Sequence, residues 1–471
     1  MHANHPTPLA DALCALGRRD VASFHALPLS GGRSVHGSAL RGRFEELYGA
    51  HLAADVSYSA PVLDSLFAPR GPLRAAQRLA AEAFGADATL FVSAGSCVSN
   101  AVAVRTLVEP GSRVLADRTC HQSIHFALDA AGATVDYAPV RPCGCGCPAV
   151  LADLAALLDM ARAEPYPAVV LSAASYDGVL YDLPALLREL AATNPSARVI
   201  VDEAWGAINA FHPELAAMTA LRGARDHRGL TVAVTHSAHK SMSALRQGSY
   251  LHFAAAPETL SRARAELFRL HTTSPSFPIL ASLDLARAHA QRDGAGLVAR
   301  SIRLAAAFRE AISTDPSLAV YRLPGTGASP APYARHDPAK VLVDAGMPGE
   351  EFRRLLFEEH DVYAARHIGT AVLFSFHIGV DEVMAARLLA ALRALALPRP
   401  VPEPGSFVIP YPPGIPAVLP GEDLDPAVLA ALRTSGCELF VLPGHGRRQP
   451  RAPKLIGLAP GLTRGDSHDR A

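Results

Sequence analysis

The sequence predicts an α/β fold, with a mostly parallel sheet in a large domain and a smaller α+β domain at the C-terminal end. Short apolar segments of four to six residues alternate with helical stretches between residues 72 and 270. Strands that are apolar along their whole length are typical of a parallel sheet covered by helices on both faces. In such a sheet, ligands bind beyond the carboxyl ends of the strands.

A first helix is predicted over 72–85, because Pro72 suits a first helical turn and Gly85 suits a C-terminal cap. Strands are predicted at 89–92, 113–116, 134–138, 168–172, 198–202, 230–235 and 248–253. Further helices are predicted near 97–108, 121–131, 183–193 and 258–270, and residues 275–315 are expected to be largely helical. The segments KVLVD and VLFSFHIG predict strands of the smaller domain.

Three regions are expected along the chain. Residues 1–60 form an irregular N-terminal segment, 61–285 a large cofactor-binding domain, and 286–471 a small α+β domain. The last residues, RGDSHDRA, are expected to be a disordered tail.

Composition and charge narrow the class of protein. Lys plus Arg and Asp plus Glu are both 44, which argues against a generally basic nucleic-acid binder. Apolar residues make up 49% of the 471, enough for a large core. No apolar run approaches the roughly 18 residues that span a bilayer, and the N-terminus does not resemble a secretory signal. We expect a cytoplasmic protein that binds neither nucleic acid nor membrane.

The cysteines do not predict a disulfide framework, because their number, seven, is odd and the sequence shows no secretory signal. Three of them, Cys143, Cys145 and Cys147, alternate with glycine in one connection. Their spacing differs from that of common zinc sites. We expect a surface loop without an obligatory metal, although a soft-metal or redox role stays open.

Chemistry-bearing residues follow three predicted strands. Small residues at 93–97 precede a helix, whose free N–H groups favour an anion such as phosphate. Asp202 closes the strand RVIVD, where a carboxylate needs a partner. Lys240 follows the strand LTVAVT, where burial lowers an amine's pKa and favours Schiff-base chemistry.

These three features are the set that pyridoxal 5'-phosphate requires: a lysine to hold it, a carboxylate for the pyridine nitrogen and a cup for the phosphate. Lysine is rare, occurring only at Lys240, Lys340 and Lys454. Lys340 is the weaker candidate on a strand of the smaller domain, and Lys454 falls in the expected tail.

The lysine segment THSAHKSMSALRQGSYLH (235–252) resembles that of the ornithine/lysine/arginine decarboxylases, which have the aspartate-aminotransferase fold. The resemblance extends from about residue 24 to 424. It includes the segments at 71–100, 116–133, 175–183, 201–207, 272–284 and 408–422. It implies the pyridoxal phosphate-dependent transferase fold, type I.

The resemblance also implies individual roles. Lys240 would hold the cofactor as a Schiff base and Asp202 would pair with its ring nitrogen. Ala204 would pack on one ring face and His121 would stack on the other. The phosphate would be surrounded by Ser96, Cys97, Ser237 and His239. In the family the site is shared across a dimer, and Thr273 and Ser274 match the segment that reaches the neighbour's phosphate.

The substrate side departs from the family pattern. Leu29 and Ser30 replace a His-Lys pair, Phe67 stands where the family has histidine, and Ser65 replaces a second aspartate after Asp64. Trp205, beside Asp202, is either packing or site lining. Asp64 and Glu422 are candidates, by motif position, for the acid that reads a distal cation.

The leading hypothesis is decarboxylation of arginine, lysine or ornithine by a homodimer or higher assembly, with Lys240 or His239 supplying the proton and His121 as a further catalytic candidate. A second hypothesis keeps the cofactor and changes the reaction to transamination, oxidation or elimination on a modified amino acid. A third is a catalytically silent regulatory homologue, against which the retained Lys240 and Asp202 argue.

Overall fold

The computed structural model describes residues 5–19, 21–22, 24, 27–56, 62–144, 149–325, 330–396, 406–411, 415–419, 422, 438–443 and 454–455. The chain divides into two compact units, Met1–Leu392 and Arg393–Ala471. Among the described helices, no segment is both long and apolar enough to cross a membrane.

The α-helices in the described chain are α1 (Pro8–Gly17), α2 (Arg41–Tyr48), α3 (His51–Ala54), α4 (Pro72–Phe84), α5 (Ser96–Leu107), α6 (Gln122–Ala130), α7 (Leu154–Ala163), α8 (Leu183–Thr193), α9 (Pro213–Ala216), α10 (Ala220–Asp226), α11 (Ala238–Ser241), α12 (Pro257–Leu270), α13 (Phe277–Thr314), α14 (Gly349–His360) and α15 (Glu382–Ala396). The helices predicted at 72–85, 97–108, 121–131, 183–193 and 258–270 form as α4, α5, α6, α8 and α12, and α13 occupies most of 275–315. Helices α7 and α15 were not predicted.

The strands are β1 (Ala88–Val92), β2 (Arg113–Asp117), β3 (Thr134–Ala138), β4 (Val140–Pro142), β5 (Val150–Ala152), β6 (Ala168–Ser172), β7 (Val179–Tyr181), β8 (Arg198–Asp202), β9 (Thr231–His236), β10 (Ser249–Ala254), β11 (Ala334–His336), β12 (Lys340–Asp344), β13 (Arg366–Ile368), β14 (Ala371–Ser375), β15 (Ser406–Tyr411), β16 (Glu438–Pro443) and β17 (Lys454–Leu455). The seven strands predicted for the large domain all form, with ends within one residue of the prediction.

Within the described residues, seven of these strands form the central sheet in the order β1-β10-β9-β8-β6-β2-β3. The pairs from β9 to β3 are parallel, whereas β10 runs antiparallel to both of its neighbours. The mostly parallel sheet of the prediction is therefore confirmed. In register, Asp202 lies between Ser172 of β6 and Thr235 of β9, at the carboxyl edge of the sheet.

Alternate side chains of each strand enter two different apolar cores, one on each face of the sheet. Val169 and Leu171 of β6 belong to one core, and Val170 belongs to the other. Helices α5 and α12 pack together on the second face. This two-sided burial explains why the strands are apolar at successive positions rather than alternate ones.

The N-terminal segment was expected to be irregular. It contains instead the helices α1, α2 and α3. Leu9, Leu13 and Leu16 of α1 are buried, and α1 packs on α4 and α13. An isolated helix of this length is marginal in water, so its stability comes from this packing, which a local pattern does not reveal.

A buried ion pair attaches α1 to α13. The Asp284 carboxylate and the Arg287 guanidinium lie 2.7 Å apart, and both side chains are fully buried. The second oxygen of Asp284 accepts a hydrogen bond of 2.9 Å from the Leu9 backbone N–H. The pair therefore satisfies a free N–H at the start of α1.

Replacing Asp284 with asparagine is expected to lower the free energy of unfolding by about 3–5 kcal/mol, because it leaves a buried guanidinium without its counter-charge. Glu45→Gln is the matched control, since Glu45 pairs with Arg41 at 2.7 Å on an exposed surface. The control should lose less than about 1 kcal/mol. Denaturant unfolding measures both, and equal effects of the two substitutions would contradict the assigned role of Asp284.

The expected boundary between residues 285 and 286 falls inside α13, a continuous helix of 38 residues. The buried side chains of α13 extend from Phe277 to Ile312, so the helix has no break at that point. The three-part division stays a prediction. The expected tail 464–471 lies outside the described residues, whereas Lys454, also placed in a tail, lies in β17 and pairs with Val441.

Candidate active site

A cavity of about 880 Å³ lies at the carboxyl edge of the central sheet. It brings together loops that follow β1, β2, β6, β8 and β9. Among its lining residues are seven of the predicted cofactor contacts: Ser96, Cys97, His121, Asp202, Ala204, His239 and Lys240. Trp205, left open between packing and site lining, also lines it.

Lys240 lies on α11, a single turn that follows β9. Its Nζ is 4.5 Å from the centroid of the Trp205 ring. Burial lowers the pKa of Lys240, and the nearby Asp202 carboxylate opposes this shift without cancelling it. The amine is therefore more readily deprotonated than that of an exposed lysine, which favours its use as a nucleophile.

Asp202 is held by two donors. The Ala204 backbone N–H donates to Oδ1 at 3.1 Å, and the Asn100 side-chain amide donates to Oδ2 at 3.0 Å. The two bonds fix the position and the orientation of the carboxylate. The same bond places Ala204 at the lining of the cavity beside the carboxylate.

His121 is the N-cap residue of α6. Its Nδ1 accepts a hydrogen bond from the Ser123 backbone N–H at 3.2 Å and lies 2.8 Å from the Ser123 hydroxyl. Because Nδ1 is an acceptor, the neutral ring carries its hydrogen on Nε2. The capping geometry therefore fixes both the tautomer and the direction of the ring.

The turn at 93–97, here called the phosphate turn after its predicted ligand, lies beside the end of a second strand. The Ser237 hydroxyl donates to the Ser96 hydroxyl at 2.6 Å, across the start of α5. Gly95 has a φ of 84°, and its N–H donates to the carbonyl of Gln247 at 2.9 Å. The turn thus presents the first N–H groups of a 12-residue helix to the cavity, a favourable arrangement for an anion.

His239 lies beside this turn, and its Nδ1 is 3.1 Å from the Gly248 carbonyl. A carbonyl only accepts, so Nδ1 carries the hydrogen and Nε2 remains available for a proton. Ser237 itself is fully buried and does not line the cavity. It acts on the cavity through Ser96.

Thr273 and Ser274 lie outside the cavity, on an exposed stretch before α13. The structure therefore does not bring these two residues to the chain's own phosphate turn. Their predicted role, contact with a neighbour's phosphate, stays a prediction.

Neither acid suggested for a distal cation lies in the described cavity lining. Asp64 is 9% exposed, and its carboxylate accepts from the backbone N–H groups of Ser65, Arg70 and Gly71. The carboxylate therefore stabilises the turn before α4, and its suggested role as the acid for a distal cation stays a prediction. Glu422, in the second unit, accepts from the Leu419 N–H at 2.9 Å.

Lys340 begins β12, as predicted, and also approaches Trp205, at 5.2 Å from the ring centroid. Its Nζ lies 3.7 Å from the Asp337 carboxylate, and its side chain is 8% exposed. Lys340 is therefore a cation paired with Asp337 near the tryptophan, and it does not line the cavity of Lys240.

Of the alternating cysteines, only Cys143 is described, and it is disulfide-bonded. Cys145 and Cys147 lie outside the described residues. In the described chain, no group of three or more His, Cys, Asp or Glu side chains could hold a metal ion. Cys97, at the cavity, has a free thiol.

Two residues that hold site side chains in place, and that lie outside the cavity lining, were not predicted. Asn100 lies on α5 one helical turn after Ser96, and Ser123 lies two residues after His121. The signal for Asn100 was its spacing of four from Ser96, which places both on one side of a helix. No signal in the sequence indicated that Ser123 would meet Asn100.

Residues 7–323 match the family model described as Orn/Lys/Arg decarboxylase, major domain. The uncharacterized protein YaaO of Bacillus subtilis is 34% identical over 288 residues, which cover 60% of this chain and 57% of YaaO. The chain therefore spans less than two thirds of that relative. The arginine decarboxylase of Bacillus cereus is 29% identical over 401 residues, covering 84% of this chain and 83% of that protein.

The solved structure of the Francisella novicida lysine decarboxylase LdcF has a TM-score of 0.73 with this chain at 20% identity. The matched region covers 91% of this chain and 76% of LdcF. The predicted fold, that of the type I pyridoxal phosphate-dependent transferases, is confirmed.

Proposed function

Because the chain belongs to the Orn/Lys/Arg decarboxylase family, we propose that it decarboxylates a basic amino acid to the corresponding amine and CO2 with pyridoxal phosphate as cofactor. The observation that carries the proposal is the meeting of Lys240, Asp202 and the Ser96 turn in one cavity. The likeness to an arginine decarboxylase supports arginine, lysine or ornithine as the substrate class.

The residues present fit this cofactor. A lysine with a lowered pKa is suited to covalent attachment, and a carboxylate held by two donors is suited to pairing with a ring nitrogen. The start of α5, with Ser96 and Cys97, is suited to a phosphate. When bound, pyridoxal phosphate accepts into its ring the electron pair released from the Cα–carboxylate bond.

The chain's own groups then orient the substrate and supply a proton. Conversion of an amino acid to an amine and CO2 takes up one proton, which must reach Cα. Lys240 Nζ and His239 Nε2 both belong to cavity-lining residues and are the two groups proposed for this transfer. The indole of Trp205 contacts Lys240 and limits the positions that its amine can take.

One observation favours a second candidate, the same cofactor acting on a modified amino acid. Arg246 lines the cavity, where a guanidinium opposes a second cation. The carboxylates of the described lining are Asp202 and Glu203, and Glu203 is buried and accepts from the Ala220 N–H at 3.3 Å. Neither is available to a distal ammonium or guanidinium within this chain.

Mass spectrometry of the products distinguishes the two candidates. Cofactor-loaded protein is incubated separately with arginine, lysine and ornithine, and Lys240→Ala protein is the blank. An amine that lacks the carboxylate is the expected product. A keto acid, or a product that retains the carboxylate, would replace decarboxylation with the second candidate. Absence of turnover on all three would overturn the proposed substrate class.

We further propose a dimer with shared sites, in which Thr273 and Ser274 reach the phosphate of the neighbour. The exposure of both residues, away from their own cavity, supports this arrangement. A mixture of Lys240→Ala and Ser274→Ala chains is expected to regain part of the activity that each lacks alone, if subunits exchange. Loss of Ser274 without effect on cofactor affinity would contradict the arrangement.

A further inference from the structure

The buried amide of Asn100 uses both of its N–H groups at the site. Nδ2 donates to Asp202 Oδ2 at 3.0 Å and to the Ser123 hydroxyl at 2.9 Å, and the residue is 1% exposed. Oδ1 is buried and has no partner among the described residues. Reversal of the amide would turn this oxygen toward the Asp202 carboxylate, so the chemistry of the neighbours fixes the orientation.

The same bonds continue to His121. The Ser123 oxygen accepts from Asn100, which leaves the Ser123 hydroxyl hydrogen to donate to His121 Nδ1, 2.8 Å away. The Ser123 backbone N–H donates to the same atom. A single chain of hydrogen bonds therefore connects His121, after β2, to Asp202, at the end of β8.

We propose that Asn100 is the positioning residue of this site: it holds the Asp202 carboxylate in its orientation toward the cavity, and through Ser123 it holds the ring of His121. The inference rests on the proposed function, because it takes Asp202 as the partner of the cofactor ring nitrogen. One N–H of the amide donates to the Asp202 carboxylate and the other donates to Ser123, so the same amide joins Asp202 to the residue that holds His121.

The test uses holoenzyme loaded with pyridoxal 5'-phosphate labelled with ¹⁵N in the ring. Asn100→Leu removes both donors with little change in volume. The ring-nitrogen NMR signal is expected to be that of a protonated nitrogen in the natural protein and to move toward the unprotonated position in the variant. The variant's kcat is expected to fall about 10- to 100-fold, with a change in KM of less than about threefold.

Two further variants separate positioning from folding. Ser123→Ala leaves the bond from Asn100 to Asp202 in place, so its nitrogen signal is expected to match that of the natural protein. Ser99→Ala, on the same helix, loses a buried bond of 2.8 Å to Ser249 away from the cavity. It is expected to change neither the nitrogen signal nor kcat. If Asn100→Leu does not fold, Asn100→Ala removes the same donors with less bulk.

An unchanged nitrogen signal with kcat within twofold in the Asn100 variant would overturn the inference. An unprotonated nitrogen in the natural protein would overturn both the pairing of Asp202 and the role of Asn100. The two failures are therefore distinguishable. The proposed decarboxylation is judged separately, from its products.

Discussion

Substitution of Lys240 by alanine is expected to lower kcat/KM by at least about 10⁴-fold, because it removes the nucleophile that holds the cofactor and a proposed proton donor. The cofactor is then retained only by its phosphate and ring contacts. Steady-state kinetics measures the loss of kcat/KM. Absorbance after dialysis, which reports covalently retained cofactor, measures the loss of covalent attachment.

The other two lysines supply matched controls for this prediction. Lys454→Ala alters a lysine of the second unit and is expected to leave kcat/KM within twofold of the natural value. Lys340→Ala removes a cation that faces the same tryptophan, yet it is expected to retain covalently bound cofactor. If the Lys240 variant retained covalently bound cofactor and the Lys340 variant lost it, the cofactor lysine would be Lys340 rather than Lys240.

Asp202→Asn is expected to lower kcat about 10²- to 10³-fold, since the near-isosteric amide removes the charge that keeps a ring nitrogen protonated. Covalent attachment to Lys240 should persist, so the variant separates cofactor binding from electron acceptance. In the natural protein the Asn100 amide nitrogen lies 3.0 Å from Asp202 Oδ2. In the variant the same amide faces the asparagine side chain.

Asp182→Asn is the matched control for this substitution. The Asp182 carboxylate caps α8 by accepting from the Ala185 N–H at 3.0 Å, and it does not line the cavity. The kcat of the Asp182→Asn variant is expected to stay within twofold of that of the natural protein. A loss of similar size in both variants would show that the Asp202 effect reflects folding rather than the chemistry of the site.

The central sheet was predictable because its strands are buried on both faces and therefore read as continuous apolar runs. Lys240 and Asp202 were predictable for a related reason: a charged side chain at the end of such a run has few structural explanations. Both residues line the cavity. Their individual roles stay predictions, which the two substitutions above address.

The parts that were missed depend on tertiary packing. Helix α1 is stabilised by α4 and α13, and its local sequence does not show this. Asn100 and Ser123 meet only because α5 and α6 pack side by side. The backbone N–H groups that donate to the Asp64 carboxylate were also not predictable, because motif position does not show them.

The rarity of lysine makes one measurement especially direct. Holoenzyme is treated with borohydride, which makes the covalent bond between cofactor and lysine permanent, and the digested peptides are weighed by mass spectrometry. A single cofactor mass is expected on the peptide that contains Lys240, among three lysines in the whole chain. A cofactor mass on the peptide of Lys340 or Lys454, or none on any lysine peptide, would contradict the assignment of this cavity as the pyridoxal phosphate site.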